Sequence, residues 1–119
     1  MNHIQTILNE TKLNGGCTMN PFTGEVPVDG YMVSSPGYER KVPRVRYSDI
    51  DKYAKEHKVA LSSPNCILFL GTWKQSGITY MDLSIRFEDE ESAMTFAAAS
   101  GEKAIFDVAN KLDIDVVAS

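Results

Sequence analysis

The sequence predicts an α+β fold: one small domain in which two to three helices pack on one face of a mainly antiparallel sheet. Three observations predict it. The run Ile78-Thr79-Tyr80-Met81-Asp82-Leu83-Ser84-Ile85-Arg86-Phe87 alternates in polarity, so Met81, Leu83, Ile85 and Phe87 share one strand face and Tyr80, Asp82, Ser84 and Arg86 the other. A second β-rich run, residues 65–73, precedes it across Lys74-Gln75-Ser76-Gly77, the composition of a hairpin turn. Segments with apolar residues at helical spacing flank these runs, in the order helix, two strands, helix, hairpin, helix, strand.

Ile4, Ile7 and Leu8 fall at helical spacing and Gly15-Gly16 follow as a stop, so residues 3–13 read as a short amphipathic helix. Cys17-Thr18-Met19 is extended. Asn20-Pro21-Phe22-Thr23-Gly24 is a turn, because proline presets one backbone angle and glycine supplies a positive one. Gly30-Tyr31-Met32-Val33 is a second strand, expected to pair with the first across the loop. Residues 38–46 read as irregular or edge-like, since Pro43 cannot donate to a ladder. Ser48 with Asp51 three residues on suggests a capping box, opening a helix that runs to about Val59 with Ile50, Tyr53, Ala54 and His57 on one side. Ser62-Ser63-Pro64 is a loop. Acids from Glu88 to Glu91 suit the positive end of a helix over 89–100, with Ala93, Met94, Phe96 and Ala97 as its stripe and Gly101 as its stop. Residues 104–108 read as a final strand or buried run, and 111–117 as a short strand or a frayed tail.

At 119 residues the chain has the size of a single domain able to bury a core without staples. No run approaches the roughly 18 apolar residues of a membrane span, and the N-terminus lacks a signal pattern, so no membrane partner and a cytoplasmic location are expected. The net charge of −4 is uneven: residues 1–60 hold eight Lys/Arg against seven Asp/Glu, and residues 61–119 hold four against nine. A mildly acidic chain of this kind does not carry the footprint of a dedicated nucleic-acid binder. Cys17 and Cys66 lack metal or redox spacing, which gives no support to a zinc site, and Cys66 reads as a small buried hydrophobe.

Two surfaces stand out. Trp73 and Tyr80 lie near the hairpin turn, and with Asp82 and Arg86 they place aromatic and charged groups on one strand face, the make-up of a partner-binding surface. Asp82 and Arg86 are too far apart to pair directly, so each would pair with a neighbouring strand. Arg40, Lys41, Arg44 and Arg46, flanked by Tyr38 and Tyr47, interleave cations with aromatics in the manner of a phosphate- or nucleic-acid-contacting loop, with a plain solvated loop as the competing reading. His57 falls in register with the apolar side of its helix and reads as a packed residue rather than a general base. No nucleophile–base spacing, phosphate-binding glycine pattern or metal-ligand spacing is present, so no catalytic residue, cofactor or metal is assigned.

The segments Gly15-Gly16-Cys17-Thr18-Met19-Asn20-Pro21-Phe22-Thr23-Gly24, Gly30-Tyr31-Met32-Val33-Ser34, Tyr80-Met81-Asp82-Leu83-Ser84 and Ala104-Ile105-Phe106-Asp107 together resemble a group of small proteins of bacteriophages, plasmids and other bacterial mobile elements. The resemblance spans most of the chain and brings no catalytic residues with it. It implies a cytosolic accessory protein that acts by binding a host or element protein, for example a CRISPR or restriction defence machine. A nucleic-acid-binding factor using residues 38–47 is the alternative. A small-ligand binder built on Tyr31, Trp73, Asp82 and Arg86 is a third, and homo-oligomerisation through an open sheet edge is compatible with each.

Overall fold

A computed structural model describes residues 2–62 and 68–117. Among these, four helices and seven strands follow one another as α1 (His3–Asn14), β1 (Gly16–Met19), β2 (Tyr31–Ser34), β3 (Arg40–Pro43), α2 (Tyr47–Glu56), α3 (Lys58–Leu61), β4 (Leu68–Gln75), β5 (Ile78–Phe87), α4 (Glu90–Ser100), β6 (Ala104–Asp107) and β7 (Leu112–Asp115). The α+β expectation holds, with all strand pairs antiparallel. The expected strand start at 65–67, the loop residues 63–64 and Cys66 lie outside the described residues.

Local chemistry explains most of the element ends. Asn2 caps α1 by accepting from the Gln5 N–H at 2.8 Å, and Gly15 closes it in the left-handed conformation at φ 86°. Asp89 caps α4 in the same way, accepting from Ser92 N–H at 2.8 Å, so the helix opens one residue later than the acids suggest. The capping acid of α2 is Asp49 rather than Asp51: its carboxylate accepts the Arg46 N–H at 2.9 Å. That shift starts the helix at Tyr47 and leaves Ser48 inside it. The helix ends at Glu56, and α3 continues separately beyond His57. The hairpin turn is tighter than expected. Lys74 and Gln75 still pair with Thr79 and Ile78, and only Ser76 (φ 54°) and Gly77 (φ 79°) turn the chain.

The sheet runs β1-β4-β5-β2-β6-β7, and β3 joins the same edge of β5 as β2. The expectation that the first two strands pair with each other is therefore wrong. β1 pairs with β4, and β2 pairs with β5 and β6, because the β4–β5 hairpin inserts between them. The connection from β1 to β2 must cross the hairpin. Asn20 anchors its start: buried, it donates to the Leu61 carbonyl at 2.8 Å and accepts from the Phe22 and Thr23 N–H groups. Residues 40–43, expected to be irregular or edge-like, form an edge strand on the first four residues of β5, with Pro43 at its end. Residues 112–115 form a strand with β6 and not a frayed tail.

Register divides the sheet into two faces. On one, Leu70, Met81 and Leu83 pack with Ile4, Ile7, Leu8, Ile50, Tyr53 and Leu61 from α1, α2 and α3. On the same face further along, Val33 and Ile105 pack with Ala93 and Ala97 of α4, whose small side chains let it approach the sheet closely. Thr11 of α1 and Thr72 of β4 join their buried hydroxyls across this layer. All four helices thus cover one face; among the described residues the other carries no helix and is open except where residues 25–28 lie beside Phe69. Among the described residues no helix is long and apolar enough to cross a membrane.

Because Leu83 is 1 % exposed at the centre of the larger cluster, Leu83→Ala should cost about 2–5 kcal/mol in urea unfolding. Val59→Ala, at a site 90 % exposed on α3, should change stability by less than about 0.5 kcal/mol.

Candidate functional site: the open sheet face

The open face is ordered in cross-strand rows. Gly16, Trp73, Tyr80 and Lys41 form one row across β1, β4, β5 and β3. Thr18, Gly71 and Asp82 form the next. Phe69, Ser84 and Ser34 form a third, and Arg86, Met32, Phe106 and Asp113 a fourth that reaches β7. A cleft of about 650 Å³ is lined from both ends of the sheet, by Thr18 and Trp73 on one side and Phe106 and Asp113 on the other, with Asp82 and Ser34 between. Right-handed twist curls the sheet so that its outer strands flank the middle ones.

At the first row, Trp73 and Tyr80 are directly opposite each other and stack flat, with ring centroids 4.0 Å apart and planes 7° from parallel. Such a pair contributes about 0.5–1.5 kcal/mol beyond its buried area and fixes the indole in place. Lys41 Nζ lies 5.4 Å from the centre of the Tyr80 ring. Trp73 remains 40 % exposed.

Asp82 is sunk into the floor. It is 7 % exposed, and its two carboxylate oxygens accept separately from the Ser34 hydroxyl at 2.8 Å and the Ser84 hydroxyl at 3.2 Å. Gly71 lies opposite, and a Cβ there would come within 2.5 Å of Asp82 Oδ1. The carboxylate therefore occupies the space a side chain at position 71 would take. Burial pushes the Asp82 carboxyl above its ordinary value; the two serine hydroxyls oppose this and the charge of Glu39 adds to it.

Arg86 has a different task. Its guanidinium donates to the Asp29 carbonyl at 2.9 Å and pairs with the Asp29 carboxylate. That holds the crossing loop over one end of the open face, where Glu25, Val26, Pro27 and Val28 lie beside Phe69. The four hairpin residues singled out from the sequence do share one surface, but unequally: Trp73 is exposed, Tyr80 supports it, Asp82 is buried and Arg86 fastens a loop. Ser34, Gly71 and Phe106 complete the site and were missed. The alternation of β5 already put Ser84 beside Asp82, and Ser34 becomes visible only once β2 is paired with β5. Ser34 meets Asp82 and Ser84 here, and Ala104 to Asp107 lie on the neighbouring strand.

The basic segment does not form one surface. Arg40 points to the helix side, pairing with Glu56 and lying 5.3 Å from the Tyr53 ring centre, and its guanidinium holds the Glu56 carboxyl below its ordinary value. Lys41 points to the open face, and Arg46 pairs with Asp49 at the start of α2. Arg44 is exposed at a left-handed position, φ 51°. Strand alternation is what separates neighbours 40 and 41.

His57 meets Tyr38 and Tyr53 edge-on at 5.4 and 4.6 Å, a packed position as its spacing suggests, and His3 lies under Gly24. Cys17 turns its side chain to the helix face, where burial, with a smaller push from Glu10, raises its thiol to about 11. Among the described residues no group of three or more His, Cys, Asp and Glu is placed to hold a metal ion. No protein-family model, curated protein or solved structure matches the chain.

Two outcomes follow. The folded chain holds the Asp82 proton to higher pH than the unfolded chain does, so the contribution of Asp82 to stability is full below the ordinary Asp value of about 3.9 and is lost as pH rises through its folded value. Asp82→Asn, which cannot ionise, should therefore gain stability relative to the parent as pH rises toward neutrality, and lose that advantage in acid, in unfolding curves recorded across pH. In a Cys66→Ser background, Cys17 should resist iodoacetamide at pH 8 in the folded chain and react on unfolding, as read by mass spectrometry.

Proposed function

We propose that this chain is a binding protein whose working surface is the open sheet face, and that it docks a protein partner there to modulate it. The single observation that carries this reading is the combination of an exposed, pre-stacked Trp73 with a built, partly polar cleft beside it. Trp and Tyr dominate the energetics of protein interfaces, and a ring already locked by stacking has little freedom left to lose on binding. Phe106, 39 % exposed across the cleft, supplies a second apolar anchor. On the helix side Leu13 and Val59 are 80 % and 90 % exposed, but among the described residues no pair of aromatic rings stacks flat there as Trp73 and Tyr80 do.

The resemblance to proteins of bacterial mobile elements supplies the context of this proposal: a cytoplasmic accessory protein of a phage or plasmid, acting on a host machine such as a CRISPR or restriction nuclease. The acidic second half, with four Lys/Arg against nine Asp/Glu, suits a surface that competes electrostatically with nucleic acid. Division of the basic segment between two faces favours a protein partner over nucleic acid bound to residues 38–47. Full activity of such nucleases in large molar excess of this protein would remove the defence assignment.

The immobilised protein, exposed to bacterial lysate with and without added nuclease, should retain a nuclease-resistant protein partner. Trp73→Glu combined with Phe106→Glu should lower that retention by about tenfold or more while Val59→Glu leaves it unchanged. Retention that survives the open-face substitutions, or recovery of nuclease-sensitive nucleic acid alone, contradicts the proposal.

A further inference from the structure

We infer that the cleft is a receptor for an arginine side chain of the docked partner, its guanidinium seated on the Asp82 carboxylate against the Trp73 ring; this rests on the reading of the open face as the docking surface. Charge complementarity carries it. Among the described residues, those lining the cleft include two acids, Asp82 and Asp113, and no Lys or Arg. On that face Lys41 lies over the Tyr80 ring and Arg86 pairs with Asp29. Among the described residues Asp82 thus lies 7 % exposed with hydroxyl partners only, and the charge of Glu39 that acts on it has its own sign. A buried carboxylate is costly unless a cation meets it, and here the space for that cation is the cleft.

Geometry selects arginine among cations. Each Asp82 oxygen takes one serine hydroxyl, leaving each a further acceptor site, the pattern a planar guanidinium fills with two parallel N–H donors. Trp73 stands diagonal to Asp82, one row up on the adjacent strand; Tyr80 takes one face of its indole, and the other is the flat surface for a guanidinium. A lysine ammonium is a point charge and cannot fill the fork with two parallel planar donors. The volume of about 650 Å³ is within the range of pockets that enclose a ligand larger than one side chain, so the flanking backbone of an arginine-bearing segment also fits.

The probe is the blocked pentapeptide acetyl-Gly-Ser-Arg-Ser-Gly-amide, with citrulline and lysine versions beside it. Trp73 is the sole tryptophan, so its emission reports on the cleft directly, and amide shifts of the ¹⁵N-labelled protein locate the site. The arginine peptide should saturate with shifts around Ser34, Gly71 and Ser84, about tenfold tighter than the citrulline peptide. Asp82→Asn, checked as folded by its amide spectrum, should remove that preference. Failure of the arginine peptide to saturate, equal binding of citrulline or lysine, or a preference that survives Asp82→Asn overturns the inference. A captured partner lost on Trp73→Glu but kept on Asp82→Asn overturns it too while leaving the docking face standing; a partner kept on Trp73→Glu ends both.

Discussion

The pairing of β5 is the constraint on which the rest of this molecule depends. Along one edge Ile78 to Ile85 pair with β4, and along the other the strand pairs with β3 and then β2, so three separate parts of the chain are placed by one strand. The side-chain period of a strand is two, and a slip of one residue would exchange the faces. Met81 and Leu83, each at most 1 % exposed beneath the helices, would then turn to the cleft and Asp82 into the apolar layer. Core and cleft are thus two sides of one register, and the energy of the core fixes the geometry of the cleft.

Against that order, the middle of the sheet contains an exception. Gly71 and Asp82 face each other at the centre of the longest strand pair, and both residue types are depleted in strands. Glycine gives up side-chain packing there, and the acid gives up hydration. Neither choice helps the fold. Each has a use if the carboxylate is to lie in a recess, because Gly71 leaves the room and Ser34 and Ser84 orient the two oxygens. Local departures from what a strand prefers gather where a sheet does something besides fold.

Much of this was legible in the sequence, and the divisions have physical reasons. The alternation of residues 78–87 shows both faces of β5, and the helix stops at Gly15 and Gly101 follow from their left-handed geometry. Non-local pairing leaves no such mark. Nothing local says that β1 joins β4 or that residues 40–43 lie along β5, and without that strand Arg40 and Lys41 look like one basic patch. The depth of Asp82 depends on the curl of the whole sheet, which a single strand cannot show. Ser34 and Phe106 reach the site from strands far away in the chain, through pairings set by β2 and β6.

A docking surface on the open sheet face means that partners meet this protein there and not on its helices. Photo-crosslinking in living bacterial cells tests it directly, with a photoreactive phenylalanine derivative placed at Phe106 in one version and at Val59 in another. A discrete protein adduct from position 106 that is absent at 59 is expected. An adduct from position 59 with none from 106 would contradict it.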